Sequence, residues 1–227
     1  MSPFAACYHF QELPSTQTFL LQHPRLRAGA PLFCRANVQT AGTGQRGRHW
    51  QSTPGQLQFS LSWPLSGPGP LHAGLTQLTA LTIIETLGLD GLHLKWPNDL
   101  YDGDQKLMGC LIDLLPREGG TVAVVGIGFN LKPSGAFGGL GARLPVDGDG
   151  LLELLLPPLL AAYGAWDERP YLPAPQRWAR WDGWHGREAR LEDGQLYRLL
   201  GIDQKGRLIA RRDGRLHYFA SNRIALA

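Results

Sequence analysis

Two short runs concentrate the residues able to do chemistry. The first is Gln39-Thr-Ala-Gly-Thr-Gly-Gln-Arg-Gly-Arg-His-Trp50, where Gly42, Gly44 and Gly47 alternate with amide and cationic side chains. Glycines at this density cost backbone entropy in a helix or strand. They do let several backbone N–H groups and the guanidiniums of Arg46 and Arg48 converge on one anion. The second run is Lys95-Trp-Pro-Asn-Asp99 followed by Lys106-Leu-Met-Gly109. Here Pro97 fixes the backbone ahead of a carboxamide and a carboxylate, and Lys106 supplies a second ammonium. Such a set could hold a metal–phosphate group or position an amine nucleophile.

Each run also has a plainer reading. Gly42-x-Gly44-x-x-Gly47 matches a dinucleotide-binding fingerprint as a string, but that fingerprint needs a helix next and an acidic residue about 20 positions on. Neither is there, because Ser52-Thr53-Pro54-Gly55 is a turn signal and Leu57, Phe59, Leu61 and Trp63 alternate as in a strand. The segment is therefore a loop between strands, and taken alone it reads equally as a flexible surface loop. Lys95 and Asp99 alone read as a structural pair in a tight turn. Ser15 or Thr16, ahead of the amphipathic run from Thr18 to Gln22, reads as a helix N-cap.

The elements that must position these residues follow from periodicity. Strands are expected over 31–40, 57–63, 92–99 (interrupted at Pro97), 106–115 and 121–131, the last two being the near-continuous apolar runs of central strands. Helices are expected over 71–89, over 151–166 with a kink or fresh start at Pro157-Pro158, and over 176–181. Tyr101 to Gln105 reads as a turn, and the Gly/Pro-rich stretch from Pro133 to Gly150 as a mobile loop. Beyond Trp184 the pattern changes to short alternating strands separated by Glu192-Asp-Gly194, Asp203-Gln-Lys-Gly206 and Asp213-Gly214. That divides the chain into a domain over 1–184 and a small β-barrel of about five strands over 185–227.

Charge and composition narrow the function. With 227 residues, 18% charged and 43% hydrophobic, the chain has the makeup of a globular protein with a full core. A net charge of +3 argues against a dedicated nucleic-acid binder. No acidic residue lies between Glu12 and Glu85, whereas Arg25, Arg27, Arg35, Arg46 and Arg48 all do, a bias suited to carboxylates and phosphates. Cys7, Cys34 and Cys110 are scattered and unpaired in sequence, which fits a reducing compartment and excludes a cysteine zinc site. The first residues show no secretory pattern, and 151–166 is too short and broken to span a bilayer, so a cytoplasmic location is expected.

Taken together, Ser15-Thr16, the glycine loop, Ser52-x-Pro-Gly55, Lys95-Trp-Pro-Asn-Asp99, Lys106-Leu-x-Gly109, Gly126-Ile-Gly-x-Asn130 and the terminal Gly201-Ile-Asp-Gln-Lys-Gly-Arg-Leu208 resemble the biotin protein ligases. The resemblance covers almost the whole chain. No helix-turn-helix segment precedes Ser15, so it is similar to the form without a DNA-binding domain, and no DNA or membrane partner is expected. The resemblance implies an α+β fold: a mixed β-sheet with helices mainly on one face (a class II synthetase-like core), then an SH3-like barrel. It also implies an ATP- and Mg2+-dependent reaction in which biotin becomes biotinyl-5′-AMP and then passes to a lysine of a biotin carboxyl carrier protein, an acetyl-CoA carboxylase subunit. The expected state is monomer or homodimer, because an exposed sheet edge permits pairing.

By the same resemblance, Ser15, Thr16, Gln17, Gln39, Thr43, Gly44, Gln45, Lys106 and Gly109 line the biotin site. Arg46, Arg48, Trp50, Asn98 and Asn130 serve the nucleotide, with Mg2+ near Asp99 and Asn130. Lys95, Asp99 and Lys106 are the catalytic candidates, Lys106 meeting the biotin carboxylate or adenylate phosphate and Asp99 the incoming lysine. The chain departs from the family at three places. Thr43 and Gln45 replace arginines of the loop, and Gln17 stands for the asparagine of Ser-Thr-Asn. Each lost guanidinium forfeits charge-assisted hydrogen bonds worth about 1.5–3 kcal/mol. Two alternatives follow: a lipoate or octanoate ligase of the same architecture, and a biotin-binding or sensing protein with weak catalysis.

Overall fold

The computed structural model describes residues 3–53, 55–133, 137–168, 174–220 and 224–226. Pro54 of the turn motif and residues 134–136 of the expected mobile loop lie outside them. The first sheet is built from β1 (Ala6–Leu13), β2 (Leu32–Gln39), β3 (Leu57–Ser66), β4 (Leu92–Lys95), β5 (Asp99–Asp102), β6 (Gln105–Arg117) and β7 (Gly120–Phe129). Its order is β1-β2-β3-β7-β6-β5-β4, with β1 and β2 parallel and every other neighbour antiparallel. This is the mixed sheet expected from sequence. Its first strand, β1, is one that the periodicity reading passes over.

Alternation along β7 divides the sheet into two faces. Ala123, Val125, Ile127 and Phe129 join the large core with α2 (Leu75–Leu87) and α3 (Gly148–Glu168), while Val122 and Val124 turn to the other face and pack with Leu20 and Leu26. That second face carries the short α1 (Thr16–Leu21), so helices lie mainly, but not wholly, on one side. The third helix on the larger core is α4 (Ala174–Ala179), which touches α2.

Three local expectations are corrected. The helix expected from Leu71 begins at Leu75, after a 3-10 turn over Gly69–His72, because Gly74 stands at its N-cap outside the helical region (φ −86°, ψ 2°). Tyr101 and Asp102 continue β5 rather than forming a turn. Pro157 and Pro158 do not restart α3, whose buried Leu151, Leu155, Leu159, Tyr163 and Trp166 keep one apolar stripe throughout. Of the stretch expected to be mobile, residues 137–147 are anchored where described: Leu140 and Gly141 donate to the Asn130 and Leu131 carbonyls at 2.9 and 3.0 Å.

The remaining strands, β8 (Glu188–Arg190), β9 (Leu196–Ile202), β10 (Leu208–Arg212), β11 (Arg215–Phe219) and β12 (Ala225–Leu226), form a five-stranded antiparallel, SH3-like sheet ordered β11-β10-β9-β8-β12. It is tied to the first sheet beside the second motif. Trp96 Nε1 donates to the Gly206 carbonyl at 2.8 Å, and Leu94 exchanges backbone hydrogen bonds with Trp181 and Gly183. The Trp96–Pro97 bond is cis.

Candidate active site

The two motifs meet on the α1 face of the sheet. Two cross-strand rows make its floor: Ser60–Gly126–Leu111, and Gln58–Gly128–Gly109–Asp99–Lys95. Directly paired residues share a face, so glycines at 126, 128 and 109 leave this part of the sheet without side chains. Above the floor is a cavity of about 920 Å³. Lining it are Ser15, Thr16, Gln17, Gln39, Thr43, Gly44, Gln45, Arg46, Arg48, Trp50, Lys95, Asn98, Asp99, Lys106, Gly109 and Asn130, so the structure brings every sequence-chosen residue to one place.

A break in the β5–β6 ladder sets the position of Lys106. Asp99 pairs with Gly109 and Leu100 with Met108, but Tyr101 pairs with Lys106, so Leu107 is skipped. A skipped residue reverses the alternation beyond it. Lys106 thus joins the face of Gly109 while Leu107 and Met108 both enter the core. Its Nζ lies 2.7 Å from Asp99 Oδ1 and 5.7 Å from the Trp50 ring centroid. The plain Lys95–Asp99 pair is not what forms, since Lys95 Nζ lies 4.3 Å above the Trp184 ring.

Neutral polar groups build the part over Gly126. Ser15 caps α1 by accepting from the Thr18 N–H at 3.3 Å, which leaves Thr16 and Gln17 buried in its first turn. Gln39 Oε1 accepts from the Thr16 N–H at 2.7 Å, and the Thr16 and Ser60 hydroxyls are 2.9 Å apart. Gln39 Nε2 donates to Gln58, which in turn donates to Ser52. Ser15 is therefore the cap of the plain reading, and Thr16 and Gln17 are held by its helix.

Cationic and aromatic groups build the part over Gly128. Here a Cβ would stand within 3.0 Å of three Trp50 ring atoms, so the indole lies directly on the backbone of β7. Asn98 and Asn130 donate from Nδ2 to the Cys110 and Lys106 carbonyls. The loop is not without structure: Gln45–Gly47 forms a 3-10 turn, with Arg46 at φ 61°, and Thr43 bridges His49. Arg46 pairs with Glu192 at the β8–β9 turn, and Arg35 pairs with Asp149. Acids distant in sequence thus offset part of the basic N-terminal third, whereas no carboxylate among the described residues pairs with Arg48.

Burial pushes the Cys110 thiol up to about 12, with Asp99 adding to it, and does the same to Tyr101. Both stay protonated near neutrality and serve as packing. Among the described residues no three His, Cys, Asp or Glu side chains could hold a metal. The donor set fits Mg2+ entering on substrate phosphates with one or two protein oxygens, and Asp99 and Asn130 are those on hand. The periodicity reading missed Gln58, Ser60 and Trp184, which occupy ordinary strand and loop positions. Gly126 and Gly128 did stand inside a recognised motif.

A cavity with a neutral hydrogen-bonding end and a cationic, indole-lined end, on a mixed sheet with an SH3-like sheet beside it, defines a ligase core that takes a small acid and a nucleotide. The chain belongs to the biotin/lipoate A/B protein ligase family, whose model matches residues 9–130. It is 31% identical to the bifunctional ligase/repressor BirA of Escherichia coli over 94% of this chain and 72% of that protein. It is 32% identical to the biotin–[acetyl-CoA-carboxylase] ligase of Paracoccus denitrificans over 78% of this chain and 82% of that one. The fold is that of the biotin protein ligase from Aquifex aeolicus, solved in complex with biotin and ATP (TM-score 0.79, 22% identity, 99% and 100% of the two chains).

Proposed function

We propose that the chain is an ATP-dependent biotin protein ligase. One observation carries the reading of the cavity: Gln17 Oε1, an acceptor, and Trp50 Nε1, a donor, are both buried without a partner on its floor. An unpaired buried polar group costs about 1–3 kcal/mol. A ligand offering an N–H at the Gln17 end and an anionic oxygen near Trp50 and Lys106 satisfies both. Biotin has that polarity, with ureido N–H groups at one end and a carboxylate at the other.

In the first step the biotin carboxylate oxygen attacks the α-phosphorus of ATP, and the bond to pyrophosphate breaks to leave biotinyl-5′-AMP. Lys106 offsets charge between two anions, with Arg46 and Arg48 on the phosphates and Trp50 against adenine. Mg2+, when bound, would supply further charge neutralisation at the phosphates, held on the protein side by the Asn130 side-chain oxygen while Asp99 stays with Lys106. Once Lys106 moves from Asp99 to the adenylate, the Asp99 carboxylate is released to orient and deprotonate the carrier lysine. Attack on the anhydride carbonyl forms the amide and expels AMP. Lys95, with Nζ 4.3 Å above the Trp184 ring, adds a second positive charge to the Asp99 row of the floor. The acceptor is the biotin carboxyl carrier subunit of acetyl-CoA carboxylase, and the setting is cytoplasmic. No helix among the described residues is long and apolar enough to cross a membrane.

Pyrophosphate exchange driven by biotin, lipoate or octanoate tests the acid, and transfer of labelled biotin to a carrier domain tests the second step. Exchange with biotin alone, followed by transfer, is the expected result. Exchange with octanoate in preference, or biotin binding without transfer, would overturn it.

A further inference from the structure

We infer that Asp113 is a positioning residue for acid selection, fixing the Gln17 carboxamide so that its oxygen and not its NH2 meets the ligand. The inference rests on the biotin reading above. Asp113 lies on β6 opposite Val124, the next pair on the same face beyond Leu111–Gly126, and it does not line the cavity. It reaches the site only through Gln17. Both hydrogens of Gln17 Nε2 are committed, one to Asp113 Oδ2 at 2.8 Å and one to the Val124 carbonyl at 3.0 Å. Turning the amide over would set Oε1 against a carboxylate and a carbonyl, two acceptors with no hydrogen between them. One orientation is thereby selected. In it Oε1 is buried, unpartnered and laid over Gly126, where a Cβ would stand only 2.6 Å from it.

The consequence is specificity by an unmet demand. A ligand that brings an N–H to this acceptor is accepted. The hydrocarbon end of octanoate or the dithiolane of lipoate brings none, and leaves the acceptor desolvated and unpaired. Without Asp113 the amide keeps only one acceptor for its NH2 and can rotate, and the demand disappears.

The test is a set of full-chain variants read by biotin-dependent pyrophosphate exchange. Asp113→Leu is expected to raise the KM for biotin about ten- to hundredfold. The kcat and the KM for ATP should be unchanged, and the inhibition constant of octanoate should fall, because the acceptor that rejects it is no longer fixed toward the ligand. A length swap guards against misfolding of that variant while keeping the charge. Gln17→Asn and Asp113→Glu should each raise the biotin KM about tenfold, and the double variant should regain most of the loss, because one methylene has moved from the amide to the carboxylate. Losses that simply add in the double variant, or an Asp113→Leu effect on kcat and ATP KM equal to that on biotin, would overturn the inference while leaving the ligase reading intact. No biotin-dependent exchange by the parent protein would remove both.

Discussion

Lys106 Nζ sits 2.7 Å from Asp99 Oδ1, and the two side chains are 23% and 18% exposed. The pair forms across adjacent strands because the skipped Leu107 rotates Lys106 onto the face of Asp99. An ammonium already partnered by a carboxylate costs less to keep beside the sheet than a bare one. It is also poised to exchange that partner for a substrate anion. Lys106→Met should therefore abolish most adenylate formation, lowering biotin-dependent exchange about 10²- to 10³-fold. Asp99→Asn should leave exchange within a fewfold of the parent and slow transfer from preformed biotinyl-adenylate. Equal damage to both half-reactions by Asp99→Asn would contradict the division of roles.

Gly128 is a second lever on the same site. With no Cβ there, the Trp50 indole rests on β7; an alanine must push the ring into the cavity. Stacking of a base on an aromatic ring is worth about 1–3 kcal/mol. Gly128→Ala is accordingly expected to raise the KM for ATP about ten- to hundredfold, with a smaller change for biotin. Steady-state exchange kinetics with each substrate varied in turn would measure it, and an unchanged ATP KM would refute a nucleotide role for Trp50.

What could be read from sequence was what is local. The glycine loop and Lys95-Trp-Pro-Asn-Asp99 declare themselves because glycine density and a proline before paired polar residues are visible within a dozen positions. The central strands were legible through their apolar runs. The strand β1 was not, because only its alternation of burial, with Tyr8 and Phe10 turned toward Phe19, marks it. The skipped Leu107 is a property of pairing with β5, and no feature of Lys106-Leu-Met-Gly announces it. The same holds for Asp113 behind Gln17 and for Glu192 beside Arg46, which are 96 and 146 positions from their partners. Long-range polar partners carry no periodicity.

Asp182 provides a pH signature outside the site. It bridges to Leu94 beside the second motif, and burial raises its carboxyl above the usual range, against a lowering hydrogen bond from the Trp184 N–H. A carboxyl raised in the folded state favours its neutral form there. Its contribution is full below the ordinary carboxylate value of about 4 and is lost as pH rises through the raised one. Asp182→Asn keeps an acceptor for Trp184 and carries no charge. Its stability relative to the parent should show little difference at pH 3 and grow above about pH 4. Urea midpoints at a series of pH values would show this, and a gap independent of pH would exclude it.

The Arg46–Glu192 pair joins the glycine loop to the SH3-like sheet, with side chains 33% and 45% exposed. Pairs this exposed add less than about 1 kcal/mol to stability. Glu192→Gln should leave the melting temperature nearly unchanged and loosen the loop. Faster tryptic cleavage at Arg46 and Arg48 is expected without ligand, and equal protection of both proteins with biotin and ATP. Unaltered cleavage would mean that Glu192 does not restrain the loop.

The loop's departures at Thr43 and Gln45 bear on how long the adenylate is kept. Both side chains line the cavity, and Gln45 opens the 3-10 turn that carries Arg46. A carboxamide there offers the phosphate an uncharged donor where a guanidinium would offer a charged one, and with ordinary hydrogen bonds worth about 0.5–1.5 kcal/mol against about 1.5–3 for those to charged groups the difference is about 1–1.5 kcal/mol. Converted to affinity, that is roughly a five- to tenfold weaker hold on the phosphate. Gln45→Arg should therefore lengthen retention of biotinyl-adenylate through gel filtration, with the rate of adenylate formation changed much less. Less release from the variant should also cut labelling of lysines on bystander proteins, where diffusing anhydride reacts without a carrier. Equal retention and equal bystander labelling by parent and variant would show that glycine-loop backbone, Arg46 and Arg48 suffice to hold the intermediate.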